Sequence, residues 1–205
     1  MKNKFALSAG LILLAGMGLA FASTPAKTAP ATAVSREDAK TREFKDILFK
    51  LVRQDEYLDE ALETLDSANG RMSAHDISAM GLSLKMISSN LNRVSALNKQ
   101  EFTSIQTGSA HTKYINTIFS YSRKVNRKAG HVSALVGQLA AKTKKSSMRD
   151  AVSSRKGGKK ARGKKLTQLL EEQKAMDTLA ADAKALRAAS RSVNATSKWL
   201  YIASK

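Results

Sequence analysis

The sequence predicts an all-α protein, an up-down-up-down bundle of about four long amphipathic helices that follows a cleaved signal peptide. Three observations predict this fold. The only two prolines are Pro25 and Pro30, so the chain from residue 31 to residue 205 contains none. Apolar residues recur at alternating spacings of three and four, which places them on one side of a helix. The turn signals that a β-sandwich or barrel requires are few.

The N-terminal segment has the form of an export signal. Met1–Lys4 is positively charged, Phe5–Ala22 is an uncharged run of 18 residues, and Ala20-Phe21-Ala22 has the small-x-small pattern that precedes cleavage. We therefore predict a signal peptide over residues 1–22. The alternative is a retained membrane anchor, for which 18 apolar residues is short. The signal is typical of bacterial export, which predicts a periplasmic or secreted protein.

A flexible Ala/Thr/Pro linker is predicted over residues 23–34, and a helical bundle domain over residues 35–205. The first helix begins with Ser35-Arg-Glu-Asp38, because a serine followed by acidic residues suits a helix N-terminus. Asn69-Gly70 supplies its end. Gln54 alone interrupts its apolar side. The residues of that side are Phe44, Ile47, Leu51, Leu58, Ala61, Leu65 and Ala68.

Two further cap patterns divide the middle of the chain. Ser73-Ala-His-Asp76 predicts the start of a second helix, and Asn98-Lys-Gln-Glu101 predicts the start of a third. Residues Gly81–Ile87 alternate as a strand would, but the helical period covers more residues. The apolar side of the second helix is Ile77, Met80, Leu84, Ile87, Leu91 and Val94. That of the third is Ile115, Ile118, Val125, Ala129, Val132, Val136 and Leu139.

The last predicted helix runs from Leu166 to about Ser204 and follows a segment of unusual charge. Residues 142–165 contain 11 basic and 1 acidic residues, whereas residues 23–68 contain 7 basic and 10 acidic. Dense like charge with almost nothing apolar predicts a basic flexible joint. The apolar side of the last helix is Leu169, Met176, Leu179, Ala183, Leu186, Val193 and Leu200.

This basic joint is the candidate binding site, because clustered cations bind polyanions by releasing counterions and need no fixed geometry. The predicted polyanion-binding residues are Lys142, Lys144, Lys145, Arg149, Arg155, Lys156, Lys159, Lys160, Arg162, Lys164 and Lys165. A second group of cations lies close to Tyr114 and Tyr121 in the third helix. These cations are Arg123, Lys124, Arg127 and Lys128. The two tyrosines either stack on bases or sugars, or flank the core with their hydroxyls in water.

Catalytic and metal-binding patterns are weak, and the sequence predicts neither an enzyme nor a cofactor. The chain has no cysteine, and its three histidines lack metal-ligand spacing. A haem bound by His131 with Met176 or Met80 is a formal alternative. The dense acidic run from Asp55 to Glu63 suits either a hard cation or the solvated side of a helix.

These patterns together predict an exported, non-enzymatic binding or structural protein of the bacterial cell envelope. Its expected partners are anionic envelope polymers or lipid headgroups, with non-specific nucleic-acid binding also open. The alternative is a chaperone-like or partner-binding helical protein that oligomerises through its long helices.

Overall fold

The computed structural model describes residues 31–68, 72–103, 111–153 and 159–205, with side chains over 39–68, 72–103, 111–147 and 167–205. It contains α1 (Ala31–Ser67), α2 (Ala74–Phe102), α3 (Thr112–Ser153) and α4 (Lys159–Ala203). No strand occurs in these residues, which confirms the all-α class, and the alternating segment Gly81–Ile87 is helical. The predicted signal peptide and residues 23–30 of the linker lie outside the described residues.

The predicted apolar sides of the four helices meet in one core. Every residue predicted for these sides is buried except Ala68 and Leu169, which are half-buried. Ala189 of α4 is an additional buried residue. A helix of this kind gains most of its stability by packing its apolar side, so the core explains why the chain folds as a bundle.

Contacts between named residues give the directions of the helices. α1 and α2 are antiparallel, because Asn90 donates to Gln54 and Lys40 lies 3.6 Å from Glu101. α1 and α3 are parallel, because residue 41 contacts residue 111 and residue 55 contacts residue 124. α2 and α4 are also parallel, because residue 85 contacts residue 182 and residue 98 contacts residue 197. α3 and α4 are antiparallel, since Thr112 contacts the end of α4 and residue 126 contacts residue 190. Consecutive helices therefore alternate in direction.

The neighbours in the bundle are not simply the helices that follow one another in sequence. α1 packs against α2 and α3, and α4 packs against the same two helices. α2 and α3 therefore lie across the bundle from each other. Two such helices are roughly 13 Å apart when adjacent axes are 8–10 Å apart. The chain between Thr103 and Thr112 is long enough to cross that distance, since an extended residue spans about 3.3 Å.

One predicted cap is wrong. The pattern beginning at Asn98 does not start α3, because α2 continues through Asn98 to Phe102. Asn98 is buried, and its amide donates to the hydroxyl of Ser197 at 2.9 Å. A cap residue requires a non-helical backbone at the start of a helix. Asn98 instead satisfies part of its polar side chain through α4, a tertiary contact that the local pattern does not contain.

Helix ends also differ from the predictions. α1 begins at Ala31 rather than Ser35, so the last part of the predicted linker is helical. Its alanines have the highest helix propensity, which favours this extension. The cap at Ser73 is confirmed, since its hydroxyl accepts from the backbone N–H of Asp76 at 3.2 Å. Across the described ranges, no helix is both long and apolar enough to span a membrane.

Candidate polyanion-binding surface

α3 and α4 extend far beyond α1 and α2 at one end of the bundle. Asp59 of α1 contacts Lys128 of α3, and α1 ends eight residues later at Ser67. The parallel α3 continues from about that level for roughly 17 more residues, or about 25 Å at 1.5 Å per residue. α4 extends past the start of α2 by about 12 residues, or about 18 Å, because Lys85 contacts Asp182 and α2 begins 11 residues before Lys85. We call residues 137–153 of α3 and 159–170 of α4 the basic arm.

The basic arm contains nearly all of the predicted polyanion-binding residues. Lys142, Lys144 and Lys145 are exposed on α3. No carboxylate among the described side chains lies within 4 Å of any of the three. Arg149 belongs to α3, and α4 contains Lys159, Lys160, Arg162, Lys164 and Lys165. Arg155 and Lys156 lie outside the described residues.

The predicted joint is therefore much shorter than 142–165, because residues 142–153 and 159–165 are helical. Lysine, arginine and alanine are good helix formers, and a helix nucleated in the core extends at low cost. Among the described side chains, Leu139 is the last buried residue of α3 and Met176 the first of α4. Beyond Leu139 the half-buried positions of α3 include Thr143 and Ser147. The described side chains of the basic arm past Leu139 are thus outside the buried apolar core.

The bundle continues the positive surface of the basic arm along α3 and α4. The chain has no acidic residue between Glu101 and Asp150, and none after Asp182. Apart from Lys124, the exposed cations of these helices have no carboxylate within 4 Å among the described side chains. We call five of them the basic face, namely Arg123, Arg127, Lys184, Arg191 and Lys198. Sequence reasoning missed the three on α4, although the absence of acidic residues after Asp182 signals them.

Two of the cations predicted to extend the site are instead paired with α1. Lys124 donates to Asp55 at 2.6 Å. Lys128 lies 2.7 Å from Asp55 and 2.6 Å from Asp59. The pKa of Lys124 is raised, because its ammonium donates a hydrogen bond to Asp55 and is attracted by the charge of that carboxylate. These lysines bind α3 to α1 and contribute little to an anion site, whereas Arg123 and Arg127 remain exposed.

The tyrosines of α3 take the structural role of the two alternatives. Tyr114 and Tyr121 are half-buried and pack against the core. A lysine ammonium lies over each ring. That of Lys45 is 5.8 Å from the ring centre of Tyr114, and that of Lys124 is 5.7 Å from the ring centre of Tyr121. These cation–π contacts use rings that a bound base would need for stacking.

The residues of the acidic run and the three histidines differ in burial and in contacts. Asp55 is buried in its ion pairs, while Asp59 is exposed. His111 is buried, 3.2 Å from the hydroxyl of Thr41, whereas His75 and His131 are exposed. No cluster of three potential metal ligands occurs among the described residues.

Comparison with protein-family models, curated proteins and solved structures finds no match to this chain.

Proposed function

We propose that the protein is an exported, non-enzymatic binding protein of the bacterial cell envelope, whose basic arm binds anionic polymers. One observation carries the proposal. Apart from Lys124, the exposed cations of α3 and α4 have no carboxylate within 4 Å among the described side chains, while 10 of the 17 acidic residues of the chain lie on α1. Charge is thus separated between two sides of one small bundle.

The form of the basic arm supports binding to a long anion. Two helical segments, residues 142–153 and 159–165, contain nine of the 11 cations of residues 142–165, and neither segment is longer than about 18 Å at 1.5 Å per residue. Each phosphate neutralised releases condensed counterions, which favours dense and repetitive anions over single small ones. Because the basic arm projects past α1 and α2, neither helix blocks it.

Export determines which polyanions the protein meets. The predicted signal peptide at residues 1–22 directs the chain out of the cytoplasm. There, lipopolysaccharide, teichoic-type polymers, anionic lipid headgroups and extracellular nucleic acid are available. The binding we propose has no sequence preference, because it relies on charge density rather than on contacts with base edges.

One groove of the bundle supports a binding role better than a catalytic one. A shallow groove of about 510 Å³ between α2 and α4 is lined by Lys85, Ser88, Ser89, Asn92, Arg93, Ala96 and Ala185. Catalysis by general acid and base requires a titratable group within hydrogen-bond reach of the reacting atom. This groove offers cations and hydroxyls but no histidine or carboxylate, so we propose no reaction for it.

The salt dependence of binding tests the proposal. With duplex DNA as the probe, log affinity should fall with log salt at a slope of roughly −5 if about six cations contact phosphates. Replacing Lys159, Lys160, Arg162, Lys164 and Lys165 by serine should flatten this slope. The loss of helicity should be limited to the first turns of α4, because serine is a weaker helix former than lysine or arginine. An unchanged slope in that variant would refute the role of the basic arm.

A matched pair of variants separates the basic arm from overall charge. Replacing Lys142, Lys144 and Lys145 by serine removes three exposed cations from the basic arm. Replacing Arg42, Lys45 and Arg53 by serine removes three exposed cations from the acidic α1. Only the first variant should weaken binding markedly, and equal losses would mean that net charge alone governs binding.

The alternative function is a chaperone-like or oligomeric helical protein. Its support is a pair of exposed apolar residues on α2, Leu82 and Met86, which lie four residues apart. Such exposed apolar side chains suit contact with another helix. Light scattering over a range of concentrations distinguishes the two, because oligomerisation makes the measured mass rise with concentration and a lone bundle stays monomeric.

A further inference from the structure

The end of the bundle opposite the basic arm carries exposed apolar side chains. Trp199 and Ile202, near the end of α4, are 53% and 58% exposed. They lie three residues apart and are therefore neighbours on the helix surface. Phe102, which is also exposed, ends α2 at the same level, because Asn98 of α2 contacts Ser197 of α4. Large apolar groups from two helices thus face solvent at one end.

Cations and further aromatic rings surround these residues. Lys198 and Lys205 are exposed on the last two turns of the chain, and the ammonium of Lys205 lies 4.6 Å from the ring centre of Tyr201. Tyr201 stacks on Phe119 of α3 at 5.2 Å, and Arg123 lies 5.9 Å from the Phe119 ring. Tryptophan and tyrosine favour the boundary between water and lipid, where lysines extend towards phosphates.

We infer that this end of the bundle docks on the surface of an anionic bilayer. Trp199 and Ile202 enter the boundary between headgroups and acyl chains, and Lys198 and Lys205 contact the phosphates. A soluble polyanion satisfies the lysines but offers no apolar phase to Ile202, so a bilayer fits the combination better. The inference rests on the proposed export and anion binding, and it adds an anionic bilayer as the partner of the end that carries Trp199 and Ile202.

The helix directions make this orientation consistent with the rest of the molecule. α1 begins at the same end, because Lys40 near its start contacts Glu101 near the end of α2. The basic arm points the opposite way, towards polymers further from the membrane.

The fluorescence of Trp199 tests the inference, because the chain contains one tryptophan. The exported protein is titrated with phosphatidylcholine vesicles, with vesicles that also contain phosphatidylglycerol, and with soluble polyphosphate. Only the anionic vesicles should shift the emission to shorter wavelength. Vesicles with brominated acyl chains should quench it, since the indole then lies close to the lipid chains.

Variants assign the response to individual residues. Ile202→Ser should weaken vesicle binding roughly tenfold through lost apolar burial. Lys198→Gln combined with Lys205→Gln should weaken it about 30-fold, from about 1 kcal/mol per lysine at an anionic surface. Leu82→Ser is the matched control, since Leu82 is 69% exposed on α2 away from this end. It should leave binding unchanged.

Three results would overturn the inference. These are no emission shift with anionic vesicles, an equal shift with polyphosphate, and a shift that depends on protein concentration without lipid, which would make a second copy the occupant. Replacing Lys142, Lys144 and Lys145 by serine separates this inference from the proposed function. That variant should bind polymers markedly more weakly and keep the Trp199 response. Vesicle binding without a Trp199 response would reject the docking end alone.

Discussion

The ion pairs between α1 and α3 provide a sharp test of how the bundle is held together. Asp55 is a buried carboxylate with ammonium groups on two sides, 2.6 Å away at Lys124 and 2.7 Å away at Lys128. Its side chain is 6% exposed, whereas that of Lys124 is 49% exposed. A buried carboxylate is tolerated only when a cation compensates its lost hydration. Either lysine alone supplies that compensation.

The two lysines should therefore show strongly non-additive effects on stability. Lys124→Met should cost less than about 1 kcal/mol, since Lys128 remains and the removed group is half-exposed. Lys128→Met should cost about 1–2 kcal/mol, because Lys128 also contacts Asp59 and its side chain is 16% exposed. The double variant should cost roughly 3–5 kcal/mol, because it leaves Asp55 buried without a cation.

Urea denaturation followed by circular dichroism measures these free energies of unfolding. The matched control is Lys50→Met, whose partner Asp46 lies four residues away on α1 and is about half-exposed. That change should cost less than about 0.5 kcal/mol. A double variant whose cost equals the sum of the single costs, and stays below about 1.5 kcal/mol, would refute the burial of Asp55 between the two helices.

Three other predictions concern the core, the cap of α2 and the signal peptide. Leu51→Ala or Ile118→Ala should each cost roughly 2–5 kcal/mol in urea denaturation, because both side chains are fully buried, and costs near zero at both would contradict the core. Ser73→Ala should cost about 1 kcal/mol at neutral pH through loss of the α2 cap. The Ser73 hydroxyl also donates to the Asp76 carboxylate and holds the pKa of that group below its usual value, so this part of the effect should be lost as pH falls through the lowered pKa while the backbone cap persists; a cost that does not change with pH would contradict the link to Asp76. N-terminal sequencing of exported protein should begin at Ser23; Met1 would reject the predicted cleavage.

Two neighbouring cations of α3 show what sequence patterns cannot predict about the charged surface. Lys124 and Arg123 are adjacent in sequence and identical in charge, yet Lys124 contacts Asp55 while Arg123 remains free of carboxylates among the described side chains. The difference arises because a helix turns by about 100° per residue, so neighbours point in different directions. Only the position of α1 decides which cation is neutralised.

The sequence by itself determined the helical class, the core and the concentration of positive charge. The spacing of residues such as Leu51, Leu84 and Ile118 predicts burial directly, because the helical period places them on one side regardless of which helix packs there. Tertiary structure alone decided that α2 and α3 lie across the bundle, and that Asn98 faces α4 instead of capping a helix. Such features depend on contacts between residues distant in sequence, and a pattern with a period of a few residues carries no information about them.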